Sequence, residues 1–110
     1  MQDFTIIEGD TKVLTVNVVD PATGDPVAIT SATISWKASK SQKKTAALSK
    51  TTASGISITD GAGGVFTITI AAGDTTGFYG TYYHEAQVTF SDSTVSTVLR
   101  GVMTVERGLI

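Results

Sequence analysis

The chain of 110 residues is 41% hydrophobic and suits a single domain, expected to span residues 1–110. Its formal net charge of −2 gives no general attraction to nucleic acid or to an anionic membrane, and neither partner is expected. It contains no cysteine, which excludes disulfides, thiol nucleophiles and cysteine-ligated zinc.

The first third of the chain predicts short strands separated by polar turns. Strands are expected at 4–7 and 12–20, and the second has apolar residues on both faces, which predicts burial on more than one side. The segment 21–26 is rich in turn formers and holds both prolines. A strand at 32–38 follows, with these alternate residues directed inward: Ala32, Ile34, Trp36 and Ala38. Trp36 is interpreted as a core anchor rather than a ligand-stacking ring.

A polar linker at 39–44 leads into a weak strand at 47–49 and a short strand at 55–59. The glycine-rich segment 60–64 predicts a tight hairpin turn, and the strand 65–70 directs Phe66, Ile68 and Ile70 to one face. Residues 71–77 are expected to form a crossover with one helical turn that is capped by the side chain of Asp74.

The stretch 77–90 holds all three tyrosines and the only histidine. Its alternation predicts a central strand with these inward residues: Tyr82, His84, Ala86, Val88 and Phe90. Its outward side chains, such as Tyr83 and Glu85, remain available to a partner. After a turn at 91–94, the last strand is expected at 95–106 with the following inward residues: Val95, Leu99, Met103 and Val105. Gly101 in its middle predicts a bulge or a close backbone approach.

Turns about every ten residues predict an all-β fold, specifically an immunoglobulin-like β-sandwich of seven or eight antiparallel strands. Tyr82 lies where such sandwiches place a tyrosine whose hydroxyl bonds to upstream backbone, so it is a candidate tyrosine corner.

The sequence shows no catalytic pattern. His84 has no neighbour suited to metal binding or catalysis, because Glu85 follows it on the opposite face of the strand. The turn 60–64 is followed by a strand, which excludes a phosphate-binding loop. We therefore expect a structural histidine, no enzyme activity, no cofactor and no metal.

Five of the eight basic residues lie close together in sequence: Lys37, Lys40, Lys43, Lys44 and Lys50. One interpretation is a solvated hairpin whose charges protect an edge strand, and the other is a docking patch for an acidic partner. The tail ends in Leu109 and Ile110, which either pack on a neighbouring subunit or fray.

Four segments together resemble a family of small tailed-phage virion proteins: 3–11, 32–36, 55–60 and 80–88. The family is similar to the N-terminal immunoglobulin-like domain of the phage baseplate upper protein. The resemblance implies a structural adaptor that docks on other virion components and has no catalytic residues. Because the chain ends after this domain without a stalk, a capsid decoration or cementing role is expected beside a tail or baseplate role.

The resulting prediction is a non-enzymatic virion structural protein, made in the host cytoplasm, with no ordinary signal peptide. Its expected partners are phage capsid or tail proteins and other copies of itself. The residues assigned to partner binding are Lys37, Lys40, Lys43, Lys44, Tyr83, Leu109 and Ile110. The alternative is a carbohydrate-binding or adhesive module in which Tyr79 or Tyr83 stacks on sugars.

Overall fold

A computed structural model of the protein describes residues 2–40 and 46–109. This part of the chain contains eight strands and one short 3-10 helix at Ala72–Thr75. The strands are β1 Phe4–Ile7, β2 Lys12–Asn17, β3 Thr33–Ser39, β4 Leu48–Thr51, β5 Ile56–Asp60, β6 Val65–Ile70, β7 Gly80–Thr89 and β8 Val95–Glu106.

The eight strands form two sheets. Five strands lie in the order β1-β8-β7-β3-β4, and three lie in the order β2-β6-β5. β1 runs parallel to β8, with Phe4 opposite Met103, whereas the other paired strands are antiparallel. The all-β prediction is confirmed, but the expectation of antiparallel strands alone is wrong for this one pair.

Both sheets contribute to one hydrophobic core. Ile34 and Trp36 of the five-stranded sheet are 0% exposed, as are Phe66 and Ile68 of the three-stranded sheet. The period-two alternation of β3 and β6 directs these side chains inward, as predicted. Burying one such side chain stabilises the fold by about 1.5–3 kcal/mol, so this shared core holds the two sheets together.

The second strand is shorter and more one-sided than its apolar composition predicts. β2 ends at Asn17, and the chain continues through a single bridge between Val19 and Pro26. Val16 and Val18 are buried, but Val13 and Val19 are 55% and 49% exposed. The prediction of burial on both faces is therefore wrong, because no other part of the described chain covers the outer side of this three-stranded sheet.

The last strand contains a bulge at Val98 and not at Gly101, where the sequence predicted either a bulge or a close backbone approach. β7 and β8 pair in register from Gly80 to Ala86, and the register then shifts so that Gln87 lies opposite Thr97. The extra residue is Val98, which reverses the faces of the residues before it. Val95 is consequently 58% exposed rather than inward as predicted. Phe90, also predicted inward, lies beyond the end of β7 and is only partly buried.

Gly101 allows the N-terminal segment to cross close to β8. A Cβ atom at this position would overlap the carbonyl oxygen of Gln2. The segment is held there by the Gln2 amide, which donates to the Arg100 carbonyl at 2.8 Å, and by the Asp3 carboxylate, which accepts from the Val102 amide at 2.9 Å. The predicted close backbone approach at Gly101 is therefore confirmed.

The crossover between β6 and β7 is hydrogen-bonded to the turn that follows β1. The hydroxyl of buried Thr75 accepts a hydrogen bond from the Gly9 amide at 3.0 Å, and the Glu8 carboxylate accepts one from the Gly77 amide at 2.6 Å. Asp74 accepts from the Ala71 amide at 2.7 Å. Asp74 lies in the first turn and caps the helical turn with its side chain, as predicted.

Gly101→Ala is expected to destabilise the fold by about 1–3 kcal/mol, because the added methyl group must displace the Gln2 carbonyl. Urea unfolding followed by tryptophan fluorescence would measure the loss. Gly73→Ala is the matched control, since nothing lies within 4 Å of a Cβ at Gly73. Equal stabilities of the two variants would contradict the close approach.

Candidate functional site

The only histidine lies inside the core and uses both ring nitrogens. His84 is 3% exposed. Its Nδ1 accepts a hydrogen bond from Nε1 of Trp36 at 3.1 Å, and its Nε2 donates to the carbonyl oxygen of Gln2 at 2.6 Å. Because an indole N–H can only donate, Nδ1 must carry no proton, which assigns the neutral Nε2–H tautomer. Neither nitrogen is free to act on a substrate.

Burial lowers the pKa of His84 below its usual value of 6.5, because removing the ring from water disfavours the charged form. The Gln2 carbonyl and the Asp3 carboxylate act in the opposite direction but do not outweigh burial. Protonation would also place a second N–H against that of Trp36. The surroundings of His84 therefore favour the uncharged ring that the hydrogen bonds require.

A small crevice of about 70 Å³ opens beside this histidine, between β1 and β2. It is lined by Gln2, Asp3, Phe4, Leu14, Thr15, Val16, His84 and Leu99. Pockets for small-molecule ligands usually measure about 300–1,000 Å³, so this space suits water rather than a sugar or nucleotide. Within residues 2–40 and 46–109, no group of three or more His, Asp or Glu side chains is arranged to hold a metal ion.

One candidate binding surface is the outward side of the five-stranded sheet, here called the outer face and centred on Lys37, Tyr83, Glu85 and Arg100. Tyr83 is 42% exposed. Lys37 lies opposite Glu85 in register, and the Arg100 Nε lies 3.3 Å from a Glu85 carboxylate oxygen. Tyr83 is two residues from Glu85 and so is a diagonal neighbour of Lys37. The outer face thus combines one exposed aromatic ring with charges of both signs.

A second candidate surface, here called the end patch, is formed by Ile7, Lys40, Tyr79, Arg107 and Leu109. Tyr79 is 56% exposed, and the Arg107 guanidinium lies 4.8 Å from its ring centroid. The Lys40 ammonium donates to the Tyr79 carbonyl at 2.6 Å. Ile7 is 45% exposed and Leu109 fully exposed, and a Cβ on Gly108 would lie 3.8 Å from Ile7 Cγ2. The patch is apolar with two cations at its margin.

The described lysines of the predicted basic cluster do not form one patch, because each contacts a different part of the fold. Lys37 belongs to the outer face, whereas the Lys40 ammonium lies 4.6 Å from the ring centroid of inward-facing Tyr82. Lys50 lies on edge strand β4 and forms an ion pair of 2.6 Å with Asp74.

The remaining predicted partner-binding residues are divided between described and undescribed positions. Tyr83 belongs to the outer face and Leu109 to the end patch. Lys43, Lys44 and Ile110 lie outside the described residues. Sequence reasoning missed Arg107, because its contact with Tyr79 joins residues 28 positions apart and leaves no local pattern.

Tyr82 has the surroundings expected of a tyrosine corner. Its side chain is 5% exposed, and its hydroxyl accepts a hydrogen bond from the Tyr79 amide, three residues upstream, at 3.4 Å. The ring stacks on Phe78 with centroids 5.2 Å apart and an interplanar angle of 18°. The predicted bond to upstream backbone is present, although it is long.

No protein-family model and no curated protein matches the chain. In the part of the chain that the structure describes, no helix is long and apolar enough to cross a bilayer.

Lowering the pH is expected to destabilise the protein through His84. The unfolded chain binds a proton near pH 6.5, whereas the folded chain resists it, so the free energy of unfolding falls as the pH drops below about 6.5. The slope reaches at most about 1.4 kcal/mol per pH unit. Urea midpoints between about pH 7.5 and 5.5 would measure it.

His84→Gln is the matched variant for this test, because glutamine can accept from Trp36 but does not titrate. The variant is expected to be less stable at pH 7 and to lose the pH-dependent part of the decline. A slope that is the same in both proteins would show that another group is responsible.

Tyr82→Phe is expected to lower the free energy of unfolding by about 0.5–1 kcal/mol, since it removes one long hydrogen bond and leaves the Tyr79 amide unsatisfied. Thermal unfolding would measure the change. Tyr83→Phe, which removes a hydroxyl from the exposed outer face, is the control and should have no effect. Unchanged stability of Tyr82→Phe would contradict the corner assignment.

Proposed function

We propose that the two sheets form an immunoglobulin-like sandwich. The strand order supports this arrangement, because the third, seventh and eighth strands share one sheet while the second, fifth and sixth share the other, as in such domains. The fourth strand extends the first sheet, and β1 joins its far edge beside β8. Tyr82 at the start of β7 also supports it, through the hydroxyl bond to upstream backbone.

We further propose that the protein is a non-enzymatic structural component of a bacteriophage virion, which docks on capsid or tail proteins. This assignment depends on the resemblance of residues 3–11, 32–36, 55–60 and 80–88 to small tailed-phage virion proteins. The structural observation that supports it concerns His84, the only histidine. Both of its ring nitrogens are occupied by hydrogen bonds inside the protein, one to Trp36 and one to Gln2. The side chains that remain for function are those of exposed surfaces, which suits an adaptor.

The outer face is the docking surface that we favour for the virion. It lies on the larger sheet and presents Tyr83, a residue type enriched at the centres of protein interfaces. Its charges of both signs, on Lys37, Glu85 and Arg100, can fix the register of a partner surface. It is made of rigid strand positions, so a partner would bind it without ordering a loop.

The burial of Trp36 weakens the alternative of a carbohydrate-binding module. Trp36 is 0% exposed and donates to His84, so it cannot join Tyr79 and Tyr83 in an exposed aromatic row. Tyr79 is covered by Arg107 on one side of its ring. An extended platform for several sugar rings is therefore not formed by these three residues.

Mass spectrometry and electron microscopy of purified phage particles would test the virion role. The chain is expected in the particles at a copy number that follows the symmetry of the capsid or tail. Purified protein should also rebind particles prepared without it. Tyr83→Ala is expected to weaken this rebinding at least about tenfold, since a central aromatic residue often contributes 2 kcal/mol or more to an interface.

Val13→Ala is the matched control, because it truncates an exposed side chain on the other sheet. Absence of the chain from purified particles would overturn the virion proposal. Equal loss of binding in both variants would overturn the choice of the outer face.

A further inference from the structure

The two ends of the molecule differ in charge. The molecule is 43 Å long, and the 12 residues of β8 extend about 40 Å, so β8 runs from one end to the other. The turns at 18–32, 60–64 and 90–94 lie at one end, here called the aspartate end. The turn after β1, the crossover and the residues after β8 lie at the other, here called the crossover end.

The aspartate end carries carboxylates without cations. Its turns contain Asp20, Asp25, Asp60 and Asp92 and no lysine or arginine. Three of these aspartates cap their own turns through side-chain oxygens, at Ala22, Gly63 and Thr94, so their charge is held at fixed positions. Exposed apolar side chains accompany them, because Val19 is 49% and Val95 58% exposed.

The crossover end carries the end patch, whose two cations have no acidic partner in the described chain. Among residues 2–40 and 46–109, neither Lys40 nor Arg107 forms an ion pair. Two of the acidic groups at this end are engaged elsewhere, since Glu8 accepts from the Gly77 amide and Asp74 pairs with Lys50.

The positive character is local to the end patch, because Asp10 and Glu106 also lie at this end. The guanidinium of Arg107 lies over the Tyr79 ring. Its N–H donors lie in the guanidinium plane, the geometry in which arginine binds a carboxylate. The end patch is thus a cationic and apolar surface whose complement is an acidic and apolar one.

We infer that the end patch binds the aspartate end of a second copy of this chain, so that copies associate head to tail. The opposite charges attract, and the apolar side chains Ile7 and Leu109 meet Val19 and Val95 of the neighbouring copy. Contact between two identical ends would instead place like charges together. Such a heterologous contact uses two different surfaces of each copy and builds rings or open filaments.

The inference deepens the proposed structural role, but its residues differ from those of the outer face. Its failure can therefore be distinguished from failure of the virion proposal: Tyr83→Ala tests particle binding, and substitutions at the two ends test self-association. A protein that self-associates but is missing from particles would support this inference and overturn the virion role.

Sedimentation velocity of the purified chain over a range of concentrations tests the contact. At about 20 mM salt the weight-average sedimentation coefficient is expected to rise with concentration, and at about 0.5 M salt to fall towards that of the monomer. Arg107→Glu and Asp25→Lys should each raise the apparent dissociation constant about tenfold or more, because each places like charges at the contact. Asp25 is chosen because, within the described residues, its side chain caps no turn, unlike those of Asp20, Asp60 and Asp92.

The double variant Arg107→Glu/Asp25→Lys reverses one charge at each end, which restores opposite charges at this pair of positions, and is expected to recover association. Arg100→Glu is the control for net charge, since it changes the charge equally but lies in the middle of the outer face. A wild-type chain that stays monomeric at low salt would overturn the inference. So would equal effects of Arg100→Glu and Arg107→Glu, or a double variant no better than the single ones.

Discussion

The buried chain of hydrogen bonds from Trp36 through His84 to Gln2 is the constraint on which much of the five-stranded sheet depends. It joins β3, β7 and the N-terminal segment through one imidazole ring. A buried polar group without a partner costs about 1–3 kcal/mol, so each member requires the next. The Phe4 ring packs against the same imidazole in a T-shaped arrangement, with centroids 5.0 Å apart.

The position of β1 follows from the same constraint. The Gln2 carbonyl can reach His84 only because Gly101 has no side chain, and the approach fixes the chain just before β1 begins. Asp3 then accepts from the Val102 amide, and β1 continues in parallel register with the end of β8. The parallel pair at the sheet edge is thus positioned by the polar contacts of Gln2 and Asp3 rather than by a hairpin turn.

The crossover end depends on a different set of interactions. The crossover residues Thr75 and Gly77 are bonded to the turn after β1, and Asp74 is paired with Lys50 of β4. Burial alone would raise the pKa of Asp74, but the bonds from Lys50 and the Ala71 amide outweigh it and hold the pKa below its usual value. The carboxylate therefore remains charged near neutral pH, and the crossover stays joined to β4 at the edge of the five-stranded sheet.

Most of the fold could be predicted from the sequence because its signals are local. The alternation in β3 and β7 identified Trp36 and His84 as inward residues, and the glycines of 60–64 identified the hairpin. The parallel pairing of β1 could not be predicted, because it depends on a contact between Gln2 and a residue 82 positions away. The bulge at Val98 was missed for a related reason, since only pairing with β7 reveals it.

The candidate site was less predictable, because exposure depends on which neighbours the fold brings together. A run of lysines in sequence does not form one patch once Lys50 is paired with Asp74 and Lys40 is held by Tyr79. Conversely, Arg107 is a lone cation in sequence, yet the fold places it over an exposed ring.

The contacts proposed for this protein depend on the geometry of two exposed surfaces. The outer face lies along the five-stranded sheet, whereas the end patch lies at one end of its strands, and no residue belongs to both. A head-to-tail contact between ends leaves the outer face of every copy exposed. Copies joined in this way would present their outer faces at regular intervals along a ring or filament. Such an array could bind a repeating partner surface tightly through many contacts that are individually weak.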